Sequence, residues 1–314
     1  MALYLVTGGA GFIGSHLADA LLANGHQVRV VDDLSTGHRG NLDPRCELLV
    51  GDVADPALMQ RATAGTAGVF HLAAIASVQR SNEDWLGTHR TNLGGTIAVL
   101  EAARGAGRIP VVYASSAAIY GDQGAGAVAE TATPRPATAY GADKYGSELH
   151  ARIGFTVHGV PTLGCRFFNV YGPRQDPKSP YSGVISIFAA RFANGQGVTI
   201  HGDGGQTRDF VYVADVVAHL MAGMKLLHRA PQAAVFNVCT GRATSVLALA
   251  RTLAEINGRP AALSFTEGRA GDIRQSLGNP AAATAALGVK ALAPLEQGLR
   301  LTCESLRAPL ERAA

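Results

Sequence analysis

The sequence predicts an α/β fold, a doubly wound parallel sheet with a smaller C-terminal α/β substrate-binding lobe. Three observations predict it. Short apolar runs alternate with helix-period stretches through the first half of the chain. The first run, residues 3–7, enters a turn carrying Gly8, Gly11 and Gly14 and then opens an amphipathic helix. The later runs end in carboxylates, small residues or hydroxyls, so compact and polar side chains collect at the carboxyl edge of the sheet. Ligands bind at that edge in folds of this kind.

The elements follow in order. Gly8 allows a tight turn, Gly11 removes the side chain that would keep a pyrophosphate off the backbone, and Gly14 lets the helix sit close on the strand. The free N–H groups and positive dipole at the helix start then hold phosphate. The second strand, 27–31, ends in Asp32 and Asp33. A carboxylate there accepts from both hydroxyls of an adenosine ribose and repels a phosphate, so the unit reads as a Rossmann-type site for NAD rather than NADP. Arg39 is the one nearby cation that leaves room for the other cofactor. The third run, 47–53, brings Asp52, which can accept from the adenine amino group. The fourth, 67–74, ends in Ala73 and Ala74, leaving space for a cofactor across the sheet edge.

A long helix is expected over 85–106, carrying Asn92 with Leu93, Ile97, Val99 and Leu100. The strand at 110–114 delivers Ser115 and Ser116. After a polar loop, a helix from Ala139 to about His158 presents Tyr140 and Lys144 on one face. A lysine beside a tyrosine favours the phenolate, lowering the phenol pKa toward the working pH. The same lysine can donate to the nicotinamide ribose.

Bulk properties bound the function. A chain of 314 residues buries a large core, and its net charge of +3 comes from scattered residues. Nothing points to nucleic acid or a membrane surface as a partner. Cys46, Cys165, Cys239 and Cys303 lie far apart, without the spacing of a zinc or redox site, so no metal is expected and packing in a reducing compartment is. The N-terminus starts a strand at once and has no basic leader, and no apolar run approaches about 20 residues. A cytoplasmic protein is expected.

These motifs, in this order, resemble the extended short-chain dehydrogenase/reductases and, among them, the NAD-dependent epimerase/dehydratase family acting on nucleotide sugars. The matching stretches are 7–14, Asp32, Asp52, 71–74, Asn92, 115–121, Tyr140 with Lys144, 166–174, 201–215 and 269–274, nearly the whole chain. Within the family the likeness is strongest to the UDP-glucose and UDP-N-acetylglucosamine 4-epimerases. The resemblance implies tightly bound NAD, held by Gly8, Gly11, Phe12, Ile13, Gly14, Asp32, Asp33, Ser35, Gly37, Asp52, Val53, Leu72, Ala73, Ala74, Asn92, Tyr140, Lys144 and Phe168. It implies a catalytic set of Ser116, Tyr140 and Lys144, with Ser115 the alternative register for the serine. For the substrate it implies Ser77, Ser116, Tyr140, Asn169, Val198, Thr199, His201, Arg208, Arg269 and Asp272. Arg174 is read either as a phosphate ligand or as an ion-pair partner.

The implied reaction inverts C4 of a UDP-sugar through a transient 4-keto intermediate. The sugar is UDP-glucose, UDP-galactose or their N-acetyl forms, since the small Ser276 leaves room for an acetamide. Ala117 and Ala118 stand where dehydratases of the family carry an acidic pair and decarboxylases a glutamate, which argues against both. A UDP-glucuronate epimerase, a 4-ketoreductase and a non-catalytic NAD-binding scaffold are the alternatives. The family division puts NAD on 1–169 and the nucleotide sugar mainly on 170–314, with 206–228 returning to the first part. It also implies a homodimer through a four-helix contact built from the segments 92–106 and 140–158.

Overall fold

The computed structural model describes residues 1–177, 183–268 and 273–307. Its first half runs β1 (Leu3–Thr7), α1 (Phe12–Ala23), β2 (Gln27–Asp32), β3 (Glu47–Val50), α2 (Pro56–Thr63), β4 (Gly68–His71), α3 (Val78–Glu83), α4 (Trp85–His89), α5 (Gly95–Gly105), β5 (Val111–Ser116) and α6 (Ala139–Thr156). The second half adds β6 (Thr162–Phe167), β7 (Asn169–Tyr171), α7 (Val184–Ala193), β8 (Val198–His201), β9 (Thr207–Arg208), β10 (Phe210–Tyr212), α8 (Val213–Arg229) and β11 (Ala233–Val238). It closes with β12 (Thr244–Ser245), α9 (Val246–Ile256), β13 (Leu263–Thr266), β14 (Gln275–Ser276), α10 (Ala281–Leu287) and α11 (Leu295–Arg307).

Seven strands form one parallel sheet in the order β11-β6-β5-β4-β1-β2-β3. The winding reverses between β1 and β4, and a crevice opens there at the carboxyl ends. Both faces are covered, as a parallel sheet requires. Val6, Val30 and Phe70 face one layer, where Leu17, Leu21, Leu220 and Met224 of α1 and α8 pack on them. Their strand neighbours Leu5, Val31 and Val69 face the other, against Leu58, Met59, Val99 and Ala103 of α2 and α5 and Ala151 of α6. A separate core of Phe188, Phe192, Ile200, Leu249, Leu253 and Leu299 builds the C-terminal lobe from α7, β8, α9 and α11.

Two elements differ from the expected ones. The helix expected over 85–106 runs unbroken from Trp85 to Gly105 but is not regular: α4 passes through a π turn at Arg90–Gly94 into α5, and α3 precedes it. The π turn brings buried Asn92 under the loop after β4. The return to the sheet also runs further than 206–228, because Ala233–Val238 is its edge strand, paired along its length with β6.

Candidate active site

The turn between β1 and α1 shows why glycine stands there. Gly8 has φ +69°, and a Cβ on it would come within 2.7 Å of the Ala73 backbone nitrogen. A Cβ on Gly14 would strike the Gly8 carbonyl oxygen, so the helix sits against the strand only with glycine here. Gly11 is the helix N-cap and has no capping side chain, leaving the first-turn N–H groups for an anion. The turn forms one wall of a cavity of about 640 Å³ along the carboxyl edge of the sheet.

Gly8, Gly11, Phe12, Ile13, Gly14, Asp32, Asp33, Ser35, Asp52, Val53, Leu72, Ala73, Ala74, Ser116, Tyr140, Lys144, Phe168 and Asn169 all line this cavity. At the end of β2 Asp32 accepts from the Ala10 and Leu34 N–H groups, both at 2.9 Å. Burial pushes its carboxyl up, and those two donors offset part of the rise. Gly37 lies behind Asp32 rather than on the wall, and a Cβ there would meet the Asp32 Oδ1 at 2.9 Å. Arg39 is exposed in a single turn and does not line the cavity, so it offers no partner for a phosphate beside Asp32. Asp33 is tied to the Ser35 N–H and hydroxyl, and Asp52 accepts from Ala54 N and from Arg90 Nη2.

The reactive end is built by β5 and α6. Thr138 caps α6 by accepting from Gly141 N, which places Tyr140 in the first turn and Lys144 one turn on. Ser116 lines the cavity with Tyr140, draws its phenol pKa down and accepts from Ala118 N at 3.1 Å, whereas Ser115 donates to Glu148 Oε1 at 2.5 Å. The two serines are thereby told apart. Lys144 Nζ donates to the Ala114 carbonyl at 3.0 Å and lies 5.9 Å from the Tyr140 ring centre.

The expected lowering of the tyrosine is corrected by this geometry. Burial pushes the Tyr140 phenol up, with Ser116 pulling the other way, while burial lowers Lys144 to about 8 against the opposing charge of Asp143. Desolvation outweighs the lysine, which is aimed at a carbonyl instead of the phenol oxygen. Behind the pair, His71 bonds Thr7 Oγ1 at 2.8 Å and Thr96 Oγ1 at 3.1 Å, and burial with the Lys144 charge drives it down to about 3. It is a neutral spacer of the core.

Other expected residues stand off the wall. Both amide atoms of Asn92 are spent on the backbone of Ile75, at 2.8 and 3.1 Å, so it clamps the loop that carries Ala73 and Ala74. Ser77 caps α3 by accepting from Arg80 N. Val198 is buried in β8, and Thr199 and His201 pair across to Ser264 and Thr266 of β13. Arg208 donates to the carbonyls of Thr207 and Ile273, beside Ser276 in register. Arg174 is ion-paired with Asp19 at 2.6 Å. Arg269 and Asp272 lie outside the described residues. The wall also contains Thr36, Arg80, Arg90 and Gln175, which no motif announces. Arg80 is half-buried, and its guanidinium has no hydrogen bond or ion pair among the described residues.

Three relatives can be set against this site. The chain is 38% identical over 311 residues to the UDP-glucose 4-epimerase of Mycolicibacterium smegmatis, spanning 96% of this chain and 98% of that one. A UDP-glucose 4-epimerase from Thermotoga maritima, solved with UDP-glucose, superposes with a TM-score of 0.92 at 38% identity, covering 97% of this chain and 98% of its own. MoeE5, solved with UDP-glucuronic acid and NAD, superposes with a TM-score of 0.88 at 34% identity, covering 97% and 98%. The glycine cradle, the carboxylate of Asp32 and the open edge at Ala73 and Ala74 fit the NAD that MoeE5 carries. A family model for this set matches residues 4–239, so the chain belongs to the NAD dependent epimerase/dehydratase family and takes NAD as its cofactor.

Proposed function

We propose that the protein interconverts UDP-sugars by inversion at C4, UDP-glucose with UDP-galactose and their N-acetyl forms being the substrates. The observation that carries the reading is the meeting of Ser116, Tyr140 and Lys144 in the wall of the NAD cavity, with Ala117 and Ala118 following the serine where elimination would need an acid. NAD, held by the glycine turn, Asp32 and Lys144, would supply the hydride acceptor for sugar C4 and the hydride for its return. Tyr140 would act as the phenolate, a form that the Lys144 ammonium and the positive nicotinamide ring would favour once NAD is bound, and its Oη takes the proton from the 4-hydroxyl as the C–H bond breaks, leaving a 4-ketosugar. Ser116 donates to the developing carbonyl oxygen and relays the proton to Tyr140. Lys144 uses one of its three N–H bonds on Ala114, leaving two to fix the nicotinamide ribose. The ketosugar turns over in the cleft, hydride arrives on its other face, and Tyr140 restores the proton. The redox state is unchanged at the end of the cycle.

The similar epimerases bound to or named for UDP-glucose support this assignment. Asn169 at the mouth, with Arg208, Arg269, Asp272, Val198, Thr199 and His201 of the lobe, is proposed to hold the UDP moiety. Ser77 supports the sugar side of the same cleft. The dimer is proposed to form through α5 and α6. UDP-glucuronate is a second reading, favoured by the Arg80 guanidinium, which has no hydrogen bond or ion pair among the described residues. Its neighbour Ser81 contacts Tyr140 N at 3.3 Å, so Arg80 sits close to the reacting end and offers a carboxylate partner.

Proton NMR of the purified protein with each of UDP-glucose, UDP-N-acetylglucosamine and UDP-glucuronate, without added NAD, tests the reading. New galacto-configured anomeric signals from the first or second are expected. Conversion of the uronate alone would transfer the assignment to the second reading, and no conversion of any would overturn both.

A further inference from the structure

Three consecutive residues of β5 face three residues of α6. The Ala114 carbonyl accepts from Lys144 Nζ at 3.0 Å, Ser115 donates to Glu148 Oε1 at 2.5 Å, and Ser116 lines the cavity with Tyr140. The helix residues are four apart, so they stand on one face of the helix along its first three turns. Two of the three pairs belong to the reaction. The third, at Glu148, lies outside the cavity wall.

Glu148 is held as firmly as it holds. Arg166 of β6 binds it through both oxygens, Nε at 2.9 Å and Nη2 at 2.7 Å, with side chains only 5% and 6% exposed. Arg166 Nη1 donates to Tyr120 Oη at 2.8 Å and to the Glu130 carbonyl at 3.0 Å, and its guanidinium lies 5.0 Å from the Tyr120 ring centre. Tyr120 in turn donates to Asn237 of β11 at 2.7 Å. Three adjacent strands and α6 therefore meet in one saturated buried network. A buried ion pair adds little net stability over an apolar pair of the same volume, so its presence calls for another reason. Geometric demand supplies one, because small displacements of reacting groups cost large factors in rate.

We propose that Glu148 is a positioning residue: braced by Arg166, it fixes Ser115 and, through the adjoining peptide, holds the Ser116 hydroxyl on Tyr140. Glu148 touches neither substrate nor cofactor in this account. Its effect reaches the reaction only through Ser115, which makes Ser115 the cleaner place to cut.

The test uses the NAD-loaded protein with Ser115→Ala, which keeps the ion pair, Ser115→Thr, which restores a hydroxyl, and Glu148→Gln. Turnover of UDP-glucose is one readout. The other is the ionisation of Tyr140, read as phenolate absorbance against the same protein carrying Tyr140→Phe. Ser115→Ala is expected to lower kcat about tenfold at unchanged KM and to move the Tyr140 titration upward. Ser115→Thr is expected to reverse both changes. If Glu148→Gln folds, Ser115→Ala added to it should cost nothing further, because the two act as one unit. Wild-type kcat and titration in Ser115→Ala would overturn the proposal whatever Glu148→Gln does. The kinetic arm rests on the epimerase reading, and the titration does not. A wild type that turns over no UDP-sugar removes that reading, and the Tyr140 titration then decides the positioning role alone.

Discussion

Lys144 is 3% exposed, and its ammonium makes one hydrogen bond to the protein among the described residues. Burial lowers its pKa from 10.5 to about 8, a difference worth about 3 kcal/mol. The folded chain holds this proton less tightly than the unfolded chain, so the cost is full below about pH 8 and is relieved as pH rises toward 10.5. Lys144→Met should therefore stabilise the NAD-free protein by up to about 3 kcal/mol at pH 7 while abolishing turnover. Its advantage over wild type should shrink between pH 8 and 10.5. Urea melts of both proteins across that range check this, and equal stability at pH 7 would contradict it. At this scale the sequence was half legible. The spacing of Tyr140 and Lys144 shows that they share a helix face, but the sign of the tyrosine shift depends on burial, which spacing does not carry. The choice between Ser115 and Ser116 depends on Glu148 and Arg166, 33 and 51 positions beyond Ser115 in the chain.

Elements were legible where their determinants are local. The glycine turn, β2 ending in Asp32, and the capped start of α6 each follow from neighbouring residues. The π turn at Arg90–Gly94 was not legible, because Asn92 is drawn inward by the Ile75 backbone across the fold. The two-residue strands β9, β12 and β14 exist only through each other. Helix faces also carry the proposed dimer. Leu149 and Ile153 of α6 are 45% and 46% exposed, one turn apart, and Ile97 of α5 is exposed too, an unusual cost for a lone chain in water. A dimer should sediment at twice the chain mass of 32.4 kDa, and Leu149→Glu with Ile153→Glu should halve the observed mass. A monomeric wild type would contradict the contact.

Over the whole molecule, one edge of the sheet carries Tyr140 and the cavity that fits NAD, and the C-terminal lobe has a core of its own. Alternation of strands and helices made the sheet legible from the sequence; the lobe was legible mainly through resemblance, since its pieces pair over long separations. No helix among the described residues is long and apolar enough to cross a membrane. The central claim is that hydrogen leaves C4 of the sugar, stays in the cleft and returns to the same carbon. UDP-glucose deuterated at C4, incubated in ordinary water with the NAD-loaded protein and followed by NMR, tests it most directly. The account predicts UDP-galactose that keeps deuterium at C4, formed by the wild type and slowed at least a hundredfold in Tyr140→Phe. Loss of the deuterium to solvent, or an undiminished rate in Tyr140→Phe, would contradict it.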